Sequence, residues 1–260
     1  MIHIRSEREI EKLRSVCRLA AETMEIVRDE VRAGTTTLHI SEKARKFIES
    51  HGAQAAFLGY NGFPGAICVS VNDEVVHGIP GERVLEESDI VKIDLGAYKD
   101  GFYGDMARVY PVGGISKEAA YLIETTSRAF FEGAGKAVPG NHICDIGGAV
   151  QNLVEALGYS VVRALVGHGI GRRLHEEPQI PNFTTPRNPG ALLKAGMVLA
   201  IEPMVNAGTW EVETLEDNWT VVTADGKLSA HYENTCVVRD DFPEILTLMN
   251  GEEIWPKTKQ

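Results

Sequence analysis

Residues 34–52 of this chain have a counterpart at 140–158: both stretches begin and end on glycine, run for nineteen residues, and agree at Ile40/Ile146 and Glu49/Glu155. Helix-like sequence precedes or contains each copy and strand-like sequence follows it, so each half reads as two helices and then a set of strands. Two such halves can lay their strands side by side into one curved antiparallel sheet with the helices on its outer face, an α+β architecture related by a pseudo-two-fold. The expected organisation is one domain over 1–260, with halves of about 6–112 and 113–245.

Ser6-Glu7-Arg8-Glu9 forms a capping box, and apolar Ile10, Leu13, Cys17, Ala20, Met24, Val27 and Val31 recur at three and four residues. This predicts a helix from Ser6 that Gly34 stops. A second helix is expected over about 40–50, ending at Gly52, and strands at 66–71, 90–95 and 104–110. After Pro111 helix returns, capped by Ser116 and running to about Lys136, and again over about 144–157. The second strand set is read at 197–205, 219–223 and 228–238, the last around the turn Ala224-Asp225-Gly226-Lys227.

Composition narrows the function classes. A net charge of -11 repels phosphate backbones, which argues against a nucleic-acid substrate. The first residues carry no basic stretch followed by an apolar one, and no run approaches the ~18 apolar residues of a membrane span, so a cytoplasmic protein without a membrane partner is expected. Cys17, Cys68, Cys144 and Cys236 are scattered and suggest reduced thiols rather than a zinc or redox motif.

The acidic residues point further. Asp94 and Asp105 lie in consecutive predicted strands around Tyr98-Lys99-Asp100-Gly101, a hairpin signal. An even-numbered loop sets both on one face, and a Lys99-Asp100 turn places them directly opposite. Opposed like charges are destabilising unless a cation sits between them. Glu202 and Glu233 also stand in strand-like apolar surroundings. Burying one unpaired carboxylate costs several kcal/mol, so four of them argue for two divalent ions. Among eight histidines, His77, His168 and His175 have glycine or proline close by and are read as loop positions where backbone approaches a ligand. His3, His39, His51, His142 and His231 are read as structural. An oxygen-rich cage with one imidazole suits manganese, iron or cobalt better than a structural zinc. Such a metal pair activates water and polarises a carbonyl, the chemistry of metal-assisted amide hydrolysis.

Taken in order, Val76-His77-Gly78-Ile79-Pro80, Asp94-Leu95-Gly96, Gly104-Asp105, Gly167-His168-Gly169-Ile170-Gly171, His175-Glu176-Glu177-Pro178, Ile201-Glu202-Pro203 and Glu233-Asn234-Thr235 resemble the type I methionine aminopeptidases, which have the pita-bread fold. The resemblance covers nearly the whole chain and is to type I, since the spacing from His175 to Glu202 leaves no room for the type II insertion, and to the short bacterial form, since the first helix is expected to begin at Ser6. It implies hydrolytic removal of the initiator methionine from nascent chains whose second residue is small and uncharged. It also implies two divalent ions (cobalt, manganese or iron, with zinc or nickel in vitro). Asp94 would hold one ion, His168 and Glu202 the other, and Asp105 and Glu233 would bridge them. Glu202 would serve as general base, His175 would donate to the developing oxyanion, and His77 would contact the peptide nitrogen. Tyr60, Phe63, Cys68 and Trp219 would line the methionine pocket, where Leu174 replaces an aromatic that some members carry. Nascent amino termini, the ribosome near its exit tunnel and a monomeric state complete what the resemblance implies. Prolidase and aminopeptidase P share the scaffold but carry a further amino-terminal domain.

Overall fold

Residues 1–184 and 187–252 are described by a computed structural model. The first helix, α1 (Glu7–Arg28), starts at Ser6, whose backbone N–H donates to the Glu9 carboxylate at 3.1 Å, one arm of the expected box. It ends six residues before Gly34. The chain leaves it through short-range bonds, Glu30 N–H to Val27 O at 3.0 Å and Val31 N–H to Arg28 O at 3.1 Å, and Val31 reaches the core from this turn. The second helix, α2 (Thr37–Ser50), begins three residues earlier than expected because the Thr36 hydroxyl accepts from the His39 N–H at 3.2 Å. After α3 (Lys117–Ala134), capped by Ser116, comes α4 (Ile143–Ala156). The helices α2 and α4 are both fourteen residues long and occupy the same place in the repeated stretch. Each is followed by a glycine at positive φ, Gly52 at 68° and Gly158 at 83°, the left-handed step that closes a helix.

The strands of the first half are β1 (Gln54–Ala55), β2 (Cys68–Val71), β3 (Glu74–Val76), β4 (Ile90–Lys99) and β5 (Phe102–Pro111). The second half contributes β6 (Ser160–Val161), β7 (Gly167–Gly169), β8 (Glu176–Ile180), β9 (Val198–Ile201), β10 (Met204–Asn206), β11 (Val212–Thr214) and β12 (Val221–Thr223). It closes with β13 (Ser229–His231), β14 (Glu233–Val237) and β15 (Glu244–Ile245). The main sheet runs β1-β4-β5-β14-β9-β7-β8, with β2 also on β4 and β15 on β14, and every pairing is antiparallel. Strands from both halves therefore meet at the β5/β14 junction.

Alternation along these strands sends one set of side chains to the helices. Val91, Ile93, Leu95 and Met106 pack with Ala20, Met24, Ile40 and Ala44 of α1 and α2, and Leu199 and Ile201 pack with Phe130, Phe131 and Ile146 of α3 and α4. The intervening positions, including Asp94, Asp105, Ala200 and Glu202, point away from the helices.

Three expectations change in detail. The hairpin turn is Asp100-Gly101, both at positive φ (52° and 84°), because this is the pair that tolerates a two-residue turn of that kind. Lys99 therefore pairs with Phe102, Asp94 stands opposite Ala107 and Asp105 opposite Gly96. The two aspartates share a face but are diagonal rather than directly opposed. The run at 197–205 is two strands, since the chain passes from the main sheet to a three-stranded sheet (β13-β10-β6) at Glu202-Pro203; the run at 228–238 divides likewise at Tyr232. Finally, His168 is not a loop residue: it is the centre of β7, paired with Ala200 of β9. His77 and His175 do lie outside strands.

Candidate metal centre

Register alone assembles the carboxylates. Asp94 of β4 pairs with Ala107 of β5, and Ala107 pairs with Glu233 of β14. Beyond Glu233, Asn234 pairs with Ile201 on one side of the bend and His231 with Met204 on the other, so Glu202 and Glu233 face each other across it. The next row, two residues along, holds Gly96, Asp105, Thr235, Ala200 and His168. Asp105 and Thr235 are tied directly: the Thr235 hydroxyl donates to the Asp105 carbonyl at 2.8 Å and accepts its N–H at 3.1 Å. Small residues, Ala107, Gly96 and Ala200, fill the positions between the acids and leave room above the sheet.

The glycines beside His168 are there for close approach. A Cβ on Gly167 would lie 2.4 Å from the Ala200 carbonyl, and one on Gly169 would lie 2.3 Å from that of Glu177. Within β7 the His168 Nδ1 bonds the Gly169 carbonyl at 2.9 Å, which puts the proton on Nδ1 and leaves Nε2, 3.6 Å from Glu202 Oε1, free to bind.

This cluster is electrostatically unfinished. Asp105 and Glu233 are 3% and 2% exposed, and Asp94 Oδ1, Asp105 Oδ1 and Glu233 Oε1 are buried without a hydrogen-bond partner. Burial pushes the Asp94 carboxyl up to about 7. Burial, with the charge of neighbouring acids, also raises Asp105, Glu202 and Glu233 well above the usual carboxylate range. Burial lowers His168 to about 3, with His175 adding to it, so its imidazole is neutral. Donor atoms of Asp105, His168 and Glu233 lie within 4.8 Å of one another, as do those of Glu202, His231 and Glu233. Carboxylates lacking partners beside neutral imidazoles are what a divalent cation requires, so the residues fit such an ion. Cys68, opposite Asp94 on β2, is held as the thiol by burial and belongs to the apolar side.

A cavity of about 270 Å³ opens over these donors, and every residue singled out in the sequence lines it. Its lining joins the polar side chains Asp94, Asp105, His168, Glu202 and Glu233 to the largely apolar Tyr60, Phe63, Cys68, Leu174 and Trp219. Phe63 and Trp219 meet edge to face at 5.1 Å, and His77 stands edge-on to Trp219 at 6.3 Å. His77 has φ 61°, an unusual conformation for a side-chain-bearing residue. Its neighbour Gly78 is pressed to β2, where an added Cβ would meet the Val69 carbonyl at 2.5 Å. His175 Nδ1 and the Tyr60 hydroxyl share a 2.6 Å hydrogen bond. The bend before it is shaped by Glu176, which accepts from the backbone N–H groups of Arg172 (2.8 Å) and Arg173 (3.1 Å) and is paired with buried Arg5.

Residues 11–240 match the model of metallopeptidase family M24. The methionine aminopeptidase of Clostridium perfringens is 51% identical over 249 residues, which are 96% of this chain and 100% of the relative. The chain belongs to metallopeptidase family M24, with its methionine aminopeptidases. A methionine aminopeptidase from Rickettsia prowazekii superposes with a TM-score of 0.93 at 42% identity, over 95% of this chain and 100% of that one. Prolidase from Pyrococcus furiosus shares the M24 fold at a TM-score of 0.76 and 21% identity, but this chain covers only 66% of it. The architecture is thus the pita-bread fold of these metallopeptidases, with divalent-metal chemistry.

The cavity also has lining residues that the sequence reading did not single out: Phe57, Asn61, Val76, Leu165, Val166 and Met204. Leu165 and Val166 lead directly into Gly167-His168, and that adjacency was the available signal. Beside the acids is His231, 1% exposed, with both ring nitrogens unpartnered. It does not fit the reading of a satisfied structural histidine. Its signal was its position two residues before Glu233, the spacing that sets two strand side chains on one face.

Proposed function

We propose that this chain is a two-metal methionine aminopeptidase that hydrolyses the amino-terminal methionine from nascent polypeptides whose second residue is small and uncharged. The observation that carries it is the juxtaposition, in one cavity, of partnerless buried carboxylates with a slot walled by Tyr60, Phe63, Cys68 and Trp219. Asp94 would hold one ion, His168 and Glu202 the other, with Asp105 and Glu233 shared. Cobalt, manganese or iron suits this donor set. When bound, a pair of such ions supplies Lewis acidity toward the scissile carbonyl and an activated water.

The chain's own residues do the rest. Glu202 takes the proton of the attacking water as general base, as its place facing Glu233 allows. His175 donates from Nε2 to the carbonyl oxygen as charge develops there, and His77, across the cavity, contacts the peptide nitrogen and assists the leaving amine. The slot seats an unbranched thioether against polarizable rings. Leu174, 2% exposed, closes its inner wall. The same reading makes the protein a cytoplasmic monomer that meets its substrates at the ribosome exit tunnel. All four cysteines are free thiols, as a reducing compartment leaves them, and no helix among the described residues is long and apolar enough to cross a membrane.

The test compares kcat/KM for Met-Ala-Ser, Met-Lys-Ser, Leu-Ala-Ser and Ala-Pro-Ser after metal removal and add-back. Met-Ala-Ser should be cut fastest. Met-Lys-Ser should fall by roughly 10²-fold, because a bulky second residue displaces the scissile carbonyl by ~1 Å. Equal rates for the first two peptides overturn the specificity, and preference for Ala-Pro-Ser moves the chain to the proline-directed branch.

A further inference from the structure

We propose that His231 is a further metal ligand, its Nε2 supplying a second imidazole where Glu202 and Glu233 meet. The proposal rests on the metal-centre reading above and adds a donor to it. His231 is the last residue of β13, paired with Met204 of β10, and Glu202 faces Glu233 two residues further along, where the chain has passed to β14 and β9. Alternation therefore sets His231 and Glu233 on one face, with Met204 and Glu202 across from them. The approach of His231 to the acids is built into the sheet.

The distances separate a ligand from a hydrogen-bonded histidine. His231 Nε2 lies 3.7 Å from Glu202 Oε2 and 4.0 Å from Glu233 Oε2. Both exceed the ~2.7–3.2 Å of an N–H···O bond. Two donors each about 2.0–2.2 Å from one ion, by contrast, stand roughly 3–4 Å apart. His168 Nε2 makes the same approach to Glu202 Oε1, at 3.6 Å. Glu202 thus turns one oxygen to each imidazole. Neither nitrogen of His231 has a partner, whereas buried polar groups in structural roles find one.

A second imidazole has a consequence for selectivity. Carboxylate sites suit manganese, and each added imidazole moves preference toward iron, cobalt, nickel or zinc. The second imidazole therefore shifts the preference among these ions away from manganese and toward iron or cobalt.

The experiment takes the full-length apo protein, loads it with Mn(II), and counts imidazole nitrogens from their hyperfine couplings in pulsed EPR, with uniformly ¹⁵N-histidine-labelled protein as control. Calorimetric titration with Mn(II) and Co(II) runs alongside. The expected result is two imidazole nitrogens in the unaltered protein and one in His231→Gln. That variant should also lose Co(II) affinity by more than the ~10–100-fold that losing an outer-shell partner costs, and lose less for Mn(II). A single imidazole nitrogen in the unaltered protein overturns the proposal without needing any variant to fold. So does a His231→Gln protein with unchanged couplings and affinity. Failure of the underlying reading looks different: Asp105→Ala and His168→Ala would leave metal uptake unchanged, and the proposal would fall with it.

Discussion

The Tyr60 hydroxyl engages Nδ1 of His175. Burial raises the Tyr60 phenol above its ordinary range, so it remains O–H, and its oxygen lies 2.6 Å from Nδ1. The proposed role of His175 calls for the tautomer with its proton on Nε2, in which Nδ1 accepts from that hydroxyl. Tyr60→Phe should lower kcat by about 2–10-fold, the worth of one net hydrogen bond, with metal content unchanged. His175→Ala, which removes the donor itself, should lower kcat by ~10²–10³. Metal analysis on the same samples checks the assignment, and loss of metal in His175→Ala would make that residue a ligand. At this scale the acids were legible because a lone Asp or Glu in an apolar strand is costly unless something neutralises it. His231 was not, because a buried histidine in an apolar strand is ordinary until the chain is known to bend at Tyr232 and Pro203.

Between elements, closeness rather than chemistry limits what the sequence can say. The helices were legible from their caps and stripes, and the hairpin from its turn, but its register moved by one pair because Asp100-Gly101 accepts positive φ where Lys99-Asp100 does not. The short strand β7 was hidden: Gly-His-Gly has none of the branched or aromatic residues that announce a strand. Its glycines reflect the neighbouring chains, as the 2.4 Å approach of an added Cβ on Gly167 to the Ala200 carbonyl shows. Gly167→Ala should therefore push β7 off β9, destabilising the protein by about 1–3 kcal/mol. Because His168 moves with β7, weaker metal binding should accompany the lower melting temperature. Normal affinity with unchanged stability would show that the strand has slack.

For the molecule as a whole, the acidic cluster is a cost of folding that a cation offsets. Any ligand that binds only the folded state stabilises it, by about 2.7 kcal/mol at a hundred times Kd. For a domain of this size that corresponds to a rise in Tm of ~5–10 °C on adding Mn(II) or Co(II) to chelated protein, measured by calorimetry. No rise would mean that the acids are satisfied without metal. The repeat made the architecture legible at this scale, since matched helices α2 and α4 mark equivalent points in the two halves. It said nothing of where the halves join, and that join divides the donors: Asp94 and Asp105 belong to β4 and β5, while His168, Glu202 and Glu233 come from the second half. On the proposed ligand assignment, bound metal would act as a clasp across a seam. Neither copy alone holds a complete cage, so any loosening of the β5/β14 junction shows itself first as lost metal. Selection for turnover, in this arrangement, also keeps the two copies locked in register.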